Sequence, residues 1–75
     1  MWKLEIDGTT IAVSKDPLLL VDSAKEVLAK RLQSNALNIQ NDWKYVGGRF
    51  YTKFIETYVE GKDEYNAKVS RVIEV

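Results

Sequence analysis

Apolar residues along this chain change their spacing several times, and each spacing favours a different backbone. From Trp2 to Val13 they alternate with polar ones around Asp7-Gly8, a dipeptide suited to a two-residue turn with positive φ. A hairpin closed on that turn opposes Ile6 with Thr9, Leu4 with Ile11 and Trp2 with Val13 on one face. Lys3, Glu5, Thr10 and Ala12 share the other face, so turn chemistry and alternation support a single register.

Ser14-Lys15-Asp16-Pro17 interrupts this pattern. Asp16 before Pro17 would cap a helix running through to Ser34, but Leu18-Leu19-Leu20-Val21 is apolar all round and is followed by its own stop, Asp22-Ser23. That favours a short third strand over 18–21 and a helix over 24–34. Ser23 and Glu26 stand at the spacing of a reciprocal cap, in which each side chain satisfies a backbone amide of the other's turn. Ala24, Val27, Leu28, Arg31 and Leu32 recur at three and four and face inward, leaving Lys25, Glu26, Lys30 and Gln33 to water. Asn35 and Asn38 follow, and asparagine tolerates the left-handed conformation that ends a helix.

Trp43-Lys44-Tyr45-Val46 reads as a strand with Trp43 and Tyr45 on one side, and Gly47-Gly48 ends it. Phe50, Tyr51, Phe54, Ile55, Tyr58 and Val59 then recur with a helical period, predicting a helix over 49–60 closed by Gly61. Tyr51, Lys53, Ile55, Thr57 and Val59 also alternate as a strand would. Beyond the turn at Lys62-Asp63-Glu64, Tyr65, Val69, Val72 and Ile73 fit a helix over 64–73, while Val69, Arg71, Ile73 and Val75 fit a strand about as well. The expected fold is α+β: a small sheet built on the N-terminal hairpin, with two or three helices packed on one face, in a single domain spanning 1–75.

Composition narrows the chemistry. A chain of 75 residues buries only about 60% of its unfolded surface, so the core is thin and stability is expected to come mainly from assembly with a partner. There is no Cys and no His; disulfides are excluded, zinc lacks its preferred ligands and no cofactor is expected. Lys plus Arg and Asp plus Glu both number 11, so no basic surplus draws in phosphate backbones and nucleic acid is not an expected partner. The longest apolar run, Leu18 to Val21, is far shorter than a membrane span, and the first residues do not read as a signal peptide. A soluble intracellular product with no membrane partner is the expectation.

General acid-base catalysis usually draws on His, and there is none. Asp63 with Glu64, or Glu56 with Glu60, would supply the carboxylate pair of a glycosidase, but so small a domain offers little room for the cleft. No serine has a His or Lys pattern that would activate it. The expectation is no enzyme. Gly47-Gly48-Arg49 before a helix suits either a loose anion site or a plain turn, and it lacks the ending of a phosphate loop. Trp43, Tyr45, Phe50, Tyr51, Phe54 and Tyr58 form an aromatic set, and the chain's eight aromatics exceed what one thin core covers. Several are expected at a protein interface, where Tyr, Trp and Arg concentrate binding energy.

Taken in order, Leu-Leu-Leu-Val-Asp-Ser (18–23), Lys-Glu-Val-Leu-Ala-Lys-Arg-Leu-Gln (25–33) and Asn-Asp-Trp-Lys-Tyr-Val-Gly-Gly-Arg-Phe-Tyr (41–51) resemble the small baseplate wedge, or sheath-initiator, family of contractile phage tails. In that family a strand ending Val-Asp-Gly leads into a helix, followed by a Gly-Glu-Trp strand and an aromatic segment. Asp42-Trp43 stands where Glu-Trp would, and Gly48 to Tyr51 where the aromatic segment would. The family often carries Glu-Pro-Arg before its last strand, whereas this chain has Val69-Ser70-Arg71, of which only Arg71 corresponds.

The resemblance implies a structural protein of the virion, assembled in the host cytoplasm, that joins wedge proteins to the first sheath ring by β-augmentation. Trp43, Arg49, Tyr51 and Arg71 are the expected partner-binding residues. The alternative is a small regulatory protein-binding module, such as a phage-encoded inhibitor of a host protein.

Overall fold

A computed structural model describes residues 1–72. The fold is α+β: a six-stranded antiparallel sheet with one α-helix on it. The strands are β1 (Trp2–Ile6), β2 (Thr9–Ser14), β3 (Ile39–Gln40), β4 (Lys44–Val46), β5 (Arg49–Tyr58) and β6 (Gly61–Arg71). Helix α1 covers Pro17–Leu32, and a single 3₁₀ turn follows at Ala36–Asn38. The strand order is β2-β1-β6-β5-β3, with β4 also paired to β5.

The N-terminal hairpin forms on its expected turn, with Asp7 at φ 50° and Gly8 at φ 84°. Ile6 opposes Thr9 as alternation predicts, but the register then shifts between Leu4 and Glu5, so Leu4 opposes Ala12 and Trp2 opposes Ser14. The irregularity is a β-bulge, in which two residues of β2 face one of β1. It lets Ile11 and Ala12 both pack against the core and turns Val13 out to solvent.

No strand forms over 18–21. The helix begins at Pro17, with Asp16 as its cap: the Asp16 carboxylate accepts from the Leu18 amide at 2.9 Å. Ser23 is not a cap but a mid-helix residue whose hydroxyl donates to the Leu19 carbonyl at 2.7 Å. The all-round apolar run is accommodated by exposure, with Leu18 and Leu19 left 56% and 60% accessible while Leu20 is buried. Gln33, not an asparagine, takes the left-handed position that ends α1, at φ 56°. Asn35 instead caps the 3₁₀ turn by accepting from the Leu37 amide. Asp16→Ala should therefore cost about 1 kcal/mol in urea unfolding, and Ser23→Ala close to nothing; the reverse order would restore the later helix start.

Where helices are expected over 49–60 and 64–73, the described residues form the strands β5 (Arg49–Tyr58) and β6 (Gly61–Arg71) instead. Gly47 and Gly48, at φ 60° and 78°, make a second two-residue turn that joins β4 to β5 and commits the following residues to a hairpin. The helical stripe read from 49–60 is divided between two faces: Phe50 and Phe54 point to α1, Tyr51 and Ile55 away. β6 is a central strand, paired with β5 from Gly61 to Val69 and with β1 from Ala67 to Arg71. Two or three helices thus reduce to one α-helix among the described residues. Ile73, used in both the helix and the strand alternatives for the last segment, and Val75, used only in the strand, lie outside the described residues.

The core lies between α1 and one sheet face. Leu20, Ala24, Leu28 and Ala29 of the helix meet Leu4, Ile6, Ile39, Phe54, Ala67 and Val69, all buried. Burying each large apolar side chain contributes about 1.5–3 kcal/mol. Of the predicted inward stripe, Ala24 and Leu28 are buried and Leu32 packs at the margin, while Arg31 is exposed.

β3 and β4 are two parts of one edge strand. Both pair with β5 in the same register, Gln40 with Ile55 and Lys44 with Tyr51. Between them the Thr52 hydroxyl stands in for the ladder, accepting from the Asp42 amide at 3.1 Å and donating to the Asp42 carbonyl at 3.0 Å.

Candidate protein interface

The strand registers sort the exposed side chains into two faces and two ends. On the sheet face opposite α1 lie Lys3, Lys44, Lys53, Lys62 and Lys68 with Glu5 and Glu64. Five cations against two anions leave this face at a net charge of about +3 by position, in a chain of zero net charge. Glu5 is held by both neighbours, with the Lys3 ammonium at 2.7 Å and that of Lys68 at 3.7 Å.

The hydrogen bond from Lys3 lowers the Glu5 pKa from the ordinary carboxylate value, against the desolvation of the mostly buried side chain; the charge of Lys68 adds to the lowering. A carboxylate lowered on folding stabilises the fold above its unfolded pKa, and that contribution is lost as pH falls through the folded value. Glu5→Gln should therefore weaken the protein at neutral pH, and the deficit should shrink as pH falls below the ordinary glutamate range, measured by urea unfolding across a pH series.

One end of the sheet gathers three aromatic rings and two guanidinium groups. Pairing of β1 with β6 puts Trp2 beside Arg71, whose guanidinium lies 5.4 Å from the indole centroid. Phe50 meets Trp2 edge-on at 6.3 Å and Tyr45 at 4.8 Å. The Gly47-Gly48 turn places Arg49 at the same end. Trp2, Tyr45, Gly47, Gly48, Arg49 and Arg71 line one open recess of about 400 Å³. Tyr45 and Val46 stay mostly exposed, so this end is apolar as well as cationic.

Of the four predicted partner-binding residues, Arg49 and Arg71 thus share a site. Tyr51 does not join them. It lies on the lysine-rich face, lining a larger open groove of about 760 Å³ with Lys44, Lys53 and Ile55. Trp43 is half-buried against the core, edge-on to Phe54 at 5.9 Å, and borders a shallow groove with Val21 and Lys25 of α1. Trp2 was not among the expected residues, because its place beside Arg71 follows only from the pairing of the first and last strands.

Gly47-Gly48-Arg49 precedes a strand, so no helix dipole serves an anion there. The candidate carboxylates Glu56, Glu60, Asp63 and Glu64 stand on the far end of the β5–β6 hairpin, with Glu56 opposite Asp63. Among the described residues no three His, Cys, Asp or Glu side chains gather as metal ligands would, and no helix is long and apolar enough to cross a membrane.

No family model, curated protein or solved structure matches this chain.

Proposed function

We propose that this chain is a non-enzymatic assembly protein that binds other proteins through the recess lined by Trp2, Tyr45, Arg49 and Arg71. The observation that carries the proposal is the meeting of two exposed guanidinium groups with a half-buried aromatic cluster capped by the exposed Tyr45, contributed by four strands, at one end of the sheet. Such side chains dominate protein interfaces because they bury large areas and still form directed polar contacts. The sheet edge formed by β3 and β4 lies beside the recess and offers unpaired backbone groups to an added strand.

A more specific form of the proposal is a baseplate part joining wedge proteins to the first sheath ring. It rests on the sequence resemblance. Residues 41–51 support it by falling on the edge strand and turn beside the recess. Residues 18–23 weigh against it, since the family has a strand there and this chain has the first turns of α1. That mismatch favours keeping the second reading, a phage-encoded regulatory module acting on one host protein through the same recess.

The test is recovery of partners by the tagged protein from the cells that make it, compared with an Arg49→Ala/Arg71→Ala variant. The wild type should retain a partner in fixed ratio. The variant should lose it about tenfold or more while unfolding within about 1 kcal/mol of wild type, because both side chains are exposed. Equal recovery by the two proteins would remove the recess from the account.

A further inference from the structure

The two ends of the β5–β6 hairpin are chemically opposite. β1 pairs with β6 only as far as Ala67, and β3 pairs with β5 only as far as Glu56, so the rest of the hairpin runs on as a two-stranded arm. From Ala67 to Gly61 this arm extends about 20 Å, consistent with the molecule's overall extents of 45 × 22 × 19 Å. Its tip exposes Tyr58 and fully exposes Val59. Between Glu56 and Glu64 the arm carries four carboxylates and one lysine, Lys62. Lys53 and Lys62 both engage Glu64, and Glu56, Glu60 and Asp63 make no ion pair among the described residues. The nearby carboxylates register in the arm's tyrosines: burial, then Asp63 and Glu56, raise the Tyr58 and Tyr65 hydroxyls above the usual phenol value.

The other end of the same hairpin is the recess with Arg49 and Arg71, and no carboxylate is among its lining residues. Arg49 opens β5 and Tyr58 closes it, so recess and arm tip are about 30 Å apart along one strand. They cannot meet within one chain.

We infer that the arm of one copy docks in the recess of another, with Tyr58 and Val59 entering between Trp2 and Tyr45 while Glu60 and Asp63 face Arg49 and Arg71. The inference rests on the reading of the recess as a protein site and names a second copy as its occupant. Charge complementarity selects that occupant, because a single chain carries both an acidic apolar projection and a cationic aromatic recess. The contact is head-to-tail. It uses different surfaces on the two copies and leaves one of each free, so copies add in a row, closing only if the rotation between them completes a ring.

Sedimentation of the purified chain over rising concentration tests this directly. The expected result is a weight-average mass that climbs past that of a dimer at low salt and falls back as salt rises. Two charge-reversed variants sharpen it: Glu60→Lys/Asp63→Lys at the arm and Arg49→Glu/Arg71→Glu at the recess. Each alone should remain a single chain, and an equimolar mixture should associate again, because each variant's altered surface then fits the other's. Since the chain has no Cys, a spin label at Lys62→Cys supplies a readout on an otherwise native protein. It should broaden the Trp2 indole N–H signal in a concentration-dependent way.

A wild type that stays one chain at every concentration overturns the inference, as does association that neither charge reversal changes. If the wild type stays single while Arg49→Ala/Arg71→Ala still loses a cellular partner, the recess remains a protein site and only the second copy is wrong.

Discussion

Phe54→Ala should lower the unfolding free energy by about 3–5 kcal/mol. Phe54 is fully buried in the middle of β5, at the centre of the contact between the sheet and α1. A chain of 75 residues has about 4–11 kcal/mol of stability in all, so this single truncation removes a large part of it. The denaturant midpoint should drop accordingly. Trp43→Ala should cost less, about 1–3 kcal/mol, because Trp43 is only half-buried and its main aromatic partner is Phe54 itself. Equal costs at the two positions would mean that the core is centred elsewhere.

Thr52→Val should cost about 1–3 kcal/mol although it conserves shape, because a methyl group then faces both backbone groups of Asp42. The damage should be local. Amide exchange should quicken between Asn41 and Val46, where the edge strand depends on that hydroxyl, and change little in β1 and β6. Thr52→Ser keeps the hydroxyl and should restore most of the protection. Uniform loss of protection across the sheet would show that the edge strand and the central strands open as one unit.

What the sequence made legible was local. Asp7-Gly8 announces its turn because both residues must take positive φ, and few dipeptides suit that better. The shift beyond it was not legible, since Ile11 and Ala12 are each acceptable inward residues and only the packing of α1 makes room for both. Asp16-Pro17 carried a valid helix start that the apolar run after it outweighed. The fold resolves the conflict by leaving Leu18 and Leu19 exposed, an outcome that residue types alone do not indicate.

Residues 49–60 satisfied a helical and an alternating period together. Strand pairing decided between them, and that pairing depends on β6 and β1, the latter about fifty residues away in sequence. The site was legible to the same degree. Arg49 and Arg71 stood out by type, but their sharing a recess with Trp2 is a product of three strands meeting at one end. Net charge zero likewise concealed a lysine-rich sheet face, an acidic arm and a cationic end.

We propose that this chain works inside a protein assembly and uses its Arg49–Arg71 end to stay there. Sedimentation of a gentle lysate from the cells that make it, with the chain followed by antibody, tests that claim most directly. Most of the chain should travel in a larger particle at a fixed number of copies, and Arg49→Ala/Arg71→Ala should shift it to the top of the gradient. A wild-type chain that sediments there alone, as a folded 8.6 kDa protein, would contradict it.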